Sequence, residues 1–294
     1  MRAPVLVICS AVISSGWACG GTERGPTPAA TDATVQVLRE AKLAEVLPGG
    51  DLSFEASGVT VVGGGLRIVF DDMTRVASLG SDLVRGTLSA GEGKSSQYEA
   101  ITSSSTGRLF VSIEGSPGRI VELDAAGAVK ESAAVDLAFA NPNKGIEGLA
   151  WLGEDGTDRL LALSEDDGAL HVLERGAAGW TTKAALARPV GAAFADFSDV
   201  AVRPRPDGAW DLVLLSQESS ALWIGQLTRG PWQVVGPGTR LGMPVAGDGT
   251  ARYCSLEGVA FLEAKTLVLV SDKVEKGAEA CRGTSESVHV VQLP

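Results

Sequence analysis

Histidine is almost missing from this chain, with two residues in 294. That scarcity leaves little room for a Ser-His-Asp nucleophile system or an imidazole metal site. Cysteine is equally sparse, with four residues, none in a CxxC pair and none close to a histidine, so a zinc site is excluded. Basic residues are in deficit, 25 against 36 acidic ones, and the net charge is -11. A field of that sign repels phosphate backbones and anionic headgroups, which argues against nucleic-acid and peripheral membrane binding. No apolar run is long enough to span a bilayer. Helical periodicity is sustained nowhere and is weakly present only from Val37 to Leu47.

What is present begins with an address. Met1 and Arg2 lead into an apolar run from Val5 to Ile13, followed by small residues and Ala18-Cys19-Gly20-Gly21. This is the layout of a secretory signal peptide over 1–18. Cys19 after Ala18 resembles a bacterial lipobox, which would make Cys19 the lipidated first residue; ordinary secretion with cleavage nearby is the alternative. Gly20 rather than Asp after the cysteine suggests an outer-membrane lipoprotein of the cell envelope. Residues 19–33, with Pro26 and Pro28, read as a flexible tether. Cys9 falls in the removed segment, so Cys254 and Cys281 remain as an even pair in an oxidising compartment. A disulfide between them is expected; two unpaired buried thiols are the alternative.

The remaining chain, 34–294, repeats itself. A small or acidic pair, an aliphatic residue, a turn and an apolar strand ending in an acid or amide recur five times. The repeats start at Ser57, Glu99, Glu147, Ser198 and Glu257, spaced near the length of a propeller blade. Their apolar strands run Leu66–Phe70, Leu109–Ile113, Leu160–Ser164, Leu212–Ser216 and Leu267–Ser271, and they end next to Asp71, Glu114, Glu165, Gln217 and Asp272. Alternating and then weaker strands follow, as in Ala169–Leu173 and Trp180–Ala185. Four strands of falling hydrophobicity per repeat predict an all-β propeller of four-stranded blades, five in number, with six as the alternative. The fifth repeat runs out before an outer strand, and Thr34 to Leu38 could supply it and close the ring.

In a propeller the repeated entry positions converge, bringing Glu99, Glu147 and Glu257 together with Ser57 and Ser198. Carboxylates at close range need compensation. Ca²⁺, which takes six to eight oxygens, is one remedy; hydrogen bonds to backbone amides that hold blades together are the other. The acids closing the second strands need not join this set, although antiparallel return would bring them near the same mouth. Lys144 is a nearby anion partner. His171 and His289 read as packing or surface residues, Ser164, Ser216 and Ser271 as blade structure, Gly63–Gly65 as a hairpin turn, and Glu165-Asp166-Asp167 as a solvated turn.

The segment Asn143-Lys144-Gly145-Ile146-Glu147-Gly148-Leu149-Ala150 with its following strand resembles the SdiA-regulated (YjiK-like) family. The resemblance continues through Phe197–Ala201 and Glu257–Ala260, with Asp199 standing where that family tends to have Gly. It implies a Ca²⁺-associated, often exported propeller. A looser resemblance, through the EG(I/L)A pattern, is to esterase-like phytase propellers. Two functions are compatible with these observations: a monomeric, Ca²⁺-stabilised binding or scaffolding module for an envelope protein or small ligand, or a metal-dependent hydrolase of a phosphate ester or lactone. In the second, Glu147 is the carboxylate to test.

Overall fold

The computed structural model describes residues 33–49, 52–91, 97–139, 144–153, 156–165, 167–274 and 278–294. Residues 1–18, expected to be a signal peptide, lie outside these residues with Cys9, Cys19 and nearly all of the expected tether, as do Asn143 and Asp166. In chain order the elements begin with β1 (Gln36–Lys42) and a single helical turn α1 (Leu43–Val46). The first blade is β2 (Ala56–Val62), β3 (Gly65–Phe70), β4 (Ala77–Gly80) and β5 (Gly86–Leu88). The second is β6 (Tyr98–Ser103), β7 (Leu109–Ile113), β8 (Arg119–Leu123) and β9 (Val129–Ala134). The third is β10 (Ile146–Trp151), β11 (Arg159–Ser164), β12 (Leu170–Gly176) and β13 (Gly179–Leu186). The fourth is β14 (Asp199–Pro204), β15 (Trp210–Ser216), β16 (Ala221–Thr228) and β17 (Gln233–Gly242). The fifth contains β18 (Leu256–Glu263), β19 (Thr266–Ser271) and β20 (Ser287–Gln292).

Each of the five sheets is a four-stranded antiparallel meander, and the fifth takes β1 as its outer strand beside β20. The molecule is therefore a five-bladed propeller closed by its N-terminal strand. The closing strand is longer than the sequence suggests, pairing Gln36 with Gln292 through to Lys42 with Ser287. The weak helical periodicity after Val37 yields only the turn of α1, because tertiary pairing with β20 overrides a marginal local preference.

Hydrophobicity falls outward as the sequence pattern implies. The second strands are mostly buried, and β19 is buried from end to end, because each blade is covered on both faces. The outer strand β9 is mostly exposed. The core divides into five apolar layers, one between each pair of neighbouring blades. The Cys254–Cys281 disulfide joins the entry of β18 to a 3-10 turn (Glu279–Cys281) in the loop between β19 and β20.

The glycines of the repeat have a steric reason. A Cβ on Gly148 would lie 2.7 Å from the Val200 amide nitrogen, and one on Gly258 would lie 2.9 Å from the Gly58 Cα. Only a hydrogen in place of a side chain lets neighbouring inner strands approach this closely. Replacing Gly148 with Val is expected to lower unfolding stability by about 1–3 kcal/mol, the ordinary cost of forcing extra volume into a packed interior. Urea denaturation measures it, and an unchanged midpoint would mean that the strands have room to spare.

Candidate functional site at the acidic mouth

The inner strands β2, β6, β10, β14 and β18 all enter the ring from the same end. Their entry residues meet around a cavity of about 310 Å³. Glu99, Glu147 and Glu257 line it, as the repeat predicts, and Ser57 lines it as well. The acids and amide that close the second strands join them: Asp71, Glu114, Glu165, Gln217 and Asp272. Antiparallel return is the reason, since the end of each second strand pairs beside the start of its inner strand, as Ser164 does with Ile146. Glu165 thus faces the cavity rather than forming only a solvated turn. Asp167 does serve the turn, accepting the Ala169 amide at 2.9 Å.

The structure adds Glu55 to the rim. It stands two residues ahead of the first repeat, outside the recurring pattern, so the spacing gave no signal for it. Ser198 does not reach the cavity; its hydroxyl donates to the Leu256 carbonyl at 2.9 Å. Ser57 likewise donates to the Tyr98 carbonyl. Both serines therefore tie neighbouring blades, which is the backbone-bonding role weighed for them above.

Asp199, the departure from glycine in the fourth repeat, has its own task. It is buried, and its carboxylate accepts the Val200 and Val259 amides, each at 2.7 Å, with the Leu149 amide also contributing. One side chain so connects the inner strands of three blades. Burial nevertheless raises its pKa well above the ordinary aspartate value, against the lowering effect of those amides.

The electrostatics of the mouth are dominated by burial among like charges. Glu99 is pushed up to about 8, first by burial and then by Asp71, Glu114, Glu165 and Asp272. Glu147 and Glu257 are raised well above the ordinary glutamate value, again by burial first and neighbouring carboxylates second. Asp272 is pushed up to about 7 by burial, with Glu55 and Asp71 adding to it. Among the described residues two lysines touch the rim: Lys144 pairs with Glu165, and Lys273 with Glu55 at 3.2 Å. Glu99, Glu147 and Glu257 lie among like charges.

A second cluster resembles a nucleophile system and is not one. Ser271 Oγ lies 3.2 Å from His289 Nε2, and His289 Nδ1 lies 3.5 Å from Glu40. All the same, Ser271 and His289 are almost fully buried, and the Ser271 hydroxyl donates to the Thr284 carbonyl at 2.6 Å. Neither residue lines the cavity at either end of the channel. No carbonyl could reach the serine, so the group is a seam between β1, β19 and β20. His289 thus has the packing role expected of it, and burial holds its pKa below the ordinary value.

The shifts at the mouth carry a sign. A carboxyl that stays protonated in the folded protein while the unfolded chain ionises makes stability fall as pH rises. The window runs from the ordinary glutamate value of 4.5 to about 8, set by Glu99. In EDTA the melting midpoint is therefore expected to be higher at pH 5 than at pH 8, and Glu99→Gln should flatten the slope. A midpoint that rises over this range would contradict the arrangement.

Residues 21–171, just over half of the chain, match the phytase-like family, described as "esterase-like activity of phytase". No curated protein matches the chain. Two solved structures are similar to it. One is a PQQ-bound aldose sugar dehydrogenase from Streptomyces coelicolor, 14% identical over 92% of this chain and 99% of that one, with TM-score 0.45. The other is an exo-β-1,3-galactanase from Phanerochaete chrysosporium bound to β-1,3-galactotriose, 12% identical over 87% and 64%, with TM-score 0.50. At these identities the likeness is one of fold alone. The matched segment contains the first two blades and the Glu147-Gly148-Leu149 entry of the third, and on that match the chain belongs to the phytase-like family.

Proposed function

We propose that the acidic mouth is a Ca²⁺ site through which an exported, lipid-tethered propeller holds an oxyanionic ligand, with phosphate esters as the first class to test. The observation that carries this reading is the convergence of carboxylates from several blades on one small cavity. The donor set is entirely oxygen, which suits a hard cation of flexible coordination. Glu99, Glu147 and Glu257 would hold the ion, with Asp71, Asp272 and Glu165 in the same cavity. Among the described residues no three acidic groups are already drawn into a coordination shell, so binding entails side-chain rotation. A bound Ca²⁺ would polarise a phosphoryl oxygen. Membership of the phytase-like family supports a phosphate ester over a lactone.

A second reading is a binding or scaffolding module without turnover, in line with the narrower resemblance to SdiA-regulated propellers. It is favoured by the burial of Ser271 and His289, which leaves that nucleophile-base pair without access to substrate.

A ligand that binds only the folded state raises the unfolding free energy by about 2.7 kcal/mol at a hundredfold excess over Kd. Added Ca²⁺ is expected to raise the melting midpoint, and EDTA to reverse the rise. The effect should vanish in the Glu147→Gln, Glu257→Gln double variant. Release of p-nitrophenol from p-nitrophenyl phosphate separates the two readings: Ca²⁺-dependent turnover that Glu147→Gln abolishes supports the hydrolase, and a Ca²⁺ shift without turnover supports the binding module. No shift at all would overturn the metal site. The tether is tested separately by Cys19→Ala, which is expected to move the protein from the membrane fraction to the soluble one.

A further inference from the structure

We propose that the opposite mouth of the channel is a second binding site, for a neutral saccharide. A cavity of about 660 Å³ opens there, within the range of small-ligand pockets. Its floor is a ring of one aliphatic residue per blade, Val59, Ile101, Leu149, Val200 and Val259, each at most 2% exposed. That ring stands directly above the acidic entry positions, two residues further along each inner strand, and it separates the two cavities.

The chemistry of this mouth is the reverse of the other. Among the described residues that line it, none is Asp, Glu, Lys, Arg or His, in a chain with 61 acidic and basic residues. A charged ligand would lose its hydration without gaining a counter-charge. The wall carries three aromatic residues, Trp151, Trp210 and Phe261. Two of them are braced by an arginine: the Arg108 guanidinium lies 5.6 Å from the Trp151 ring and that of Arg203 lies 5.7 Å from Phe261. These arginines are in turn paired with Asp158 and Asp211. Trp151 is also stacked on Phe110, with ring centroids 5.5 Å apart. Rigid aromatic surface of this kind binds without a large ordering cost.

Polar groups are present but few. Thr60 and Ser103 place their hydroxyl oxygens 3.2 Å apart across the first two blades. Each inner strand is the edge of its sheet, so backbone N–H and C=O groups face the channel without a strand partner. A neutral sugar ring meets all of these demands: C–H faces for the aromatic walls, and hydroxyls that both donate and accept.

The test is a tryptophan-fluorescence titration of the full-length protein with galactose, lactose and cellobiose, with cellobionate as the charged comparison. A saturable change is expected with at least one neutral sugar, in EDTA as well as in Ca²⁺, and none with cellobionate. The Thr60→Val, Ser103→Ala double variant should weaken it about tenfold at an unchanged melting midpoint. Should that variant fold poorly, Trp151→Phe, which keeps an aromatic ring against Phe110, should weaken binding as well. The proposal is overturned if no neutral sugar gives a saturable change, if cellobionate binds as well as the neutral sugars, or if EDTA abolishes the response.

Discussion

The molecule rests on the close approach of five inner strands around one axis. Where Gly58, Gly148 and Gly258 stand, backbone meets backbone at distances that a single methyl group would disturb. In the fourth repeat the same position carries Asp199, and there the contact is made by a carboxylate that accepts amides from neighbouring strands. The second repeat carries Ala100 there, so the demand is not equal around the ring: three repeats meet it with glycine, one with alanine and one with aspartate. A glycine removes the side chain, and an aspartate uses it as the joint. Everything at the acidic mouth follows from this tightness, because strands held so closely necessarily bring their entry residues together.

Much of this was legible in the chain itself. Five recurrences of an apolar strand flanked by the same small or acidic residues predicted five blades, and a fifth repeat short of one strand predicted the closure by β1. The pairing of Cys254 with Cys281 followed from cysteine arithmetic. The less legible features share a physical cause. Glu55 joins the mouth from outside the repeat, so periodicity could not reveal it. Glu165 had two readings, part of a charged turn or one of the acids that an antiparallel return brings to the mouth, and the pairing of the strands decides for the second. Asp199 appeared as a departure from a pattern, and only its position between three blades explains it.

The two ends of the channel differ sharply in charge. One end gathers carboxylates whose raised pKa values reflect burial among like charges. The other end carries hydroxyls and aromatic rings, with its arginines turned to bracing duty. The ring of Val59, Ile101, Leu149, Val200 and Val259 divides them. A small change of position along the inner strand, repeated five times, therefore separates an acidic lining from one without charged side chains.

The pairing of β1 with β20 has a consequence for timing. During synthesis β1 emerges well before its partner, and it has no other sheet to join until β20 arrives. The ring therefore cannot close while the chain is still growing, and the first blade waits with one flank uncovered, since its apolar layer is shared with the fifth. Contacts between such distant segments make folding slow.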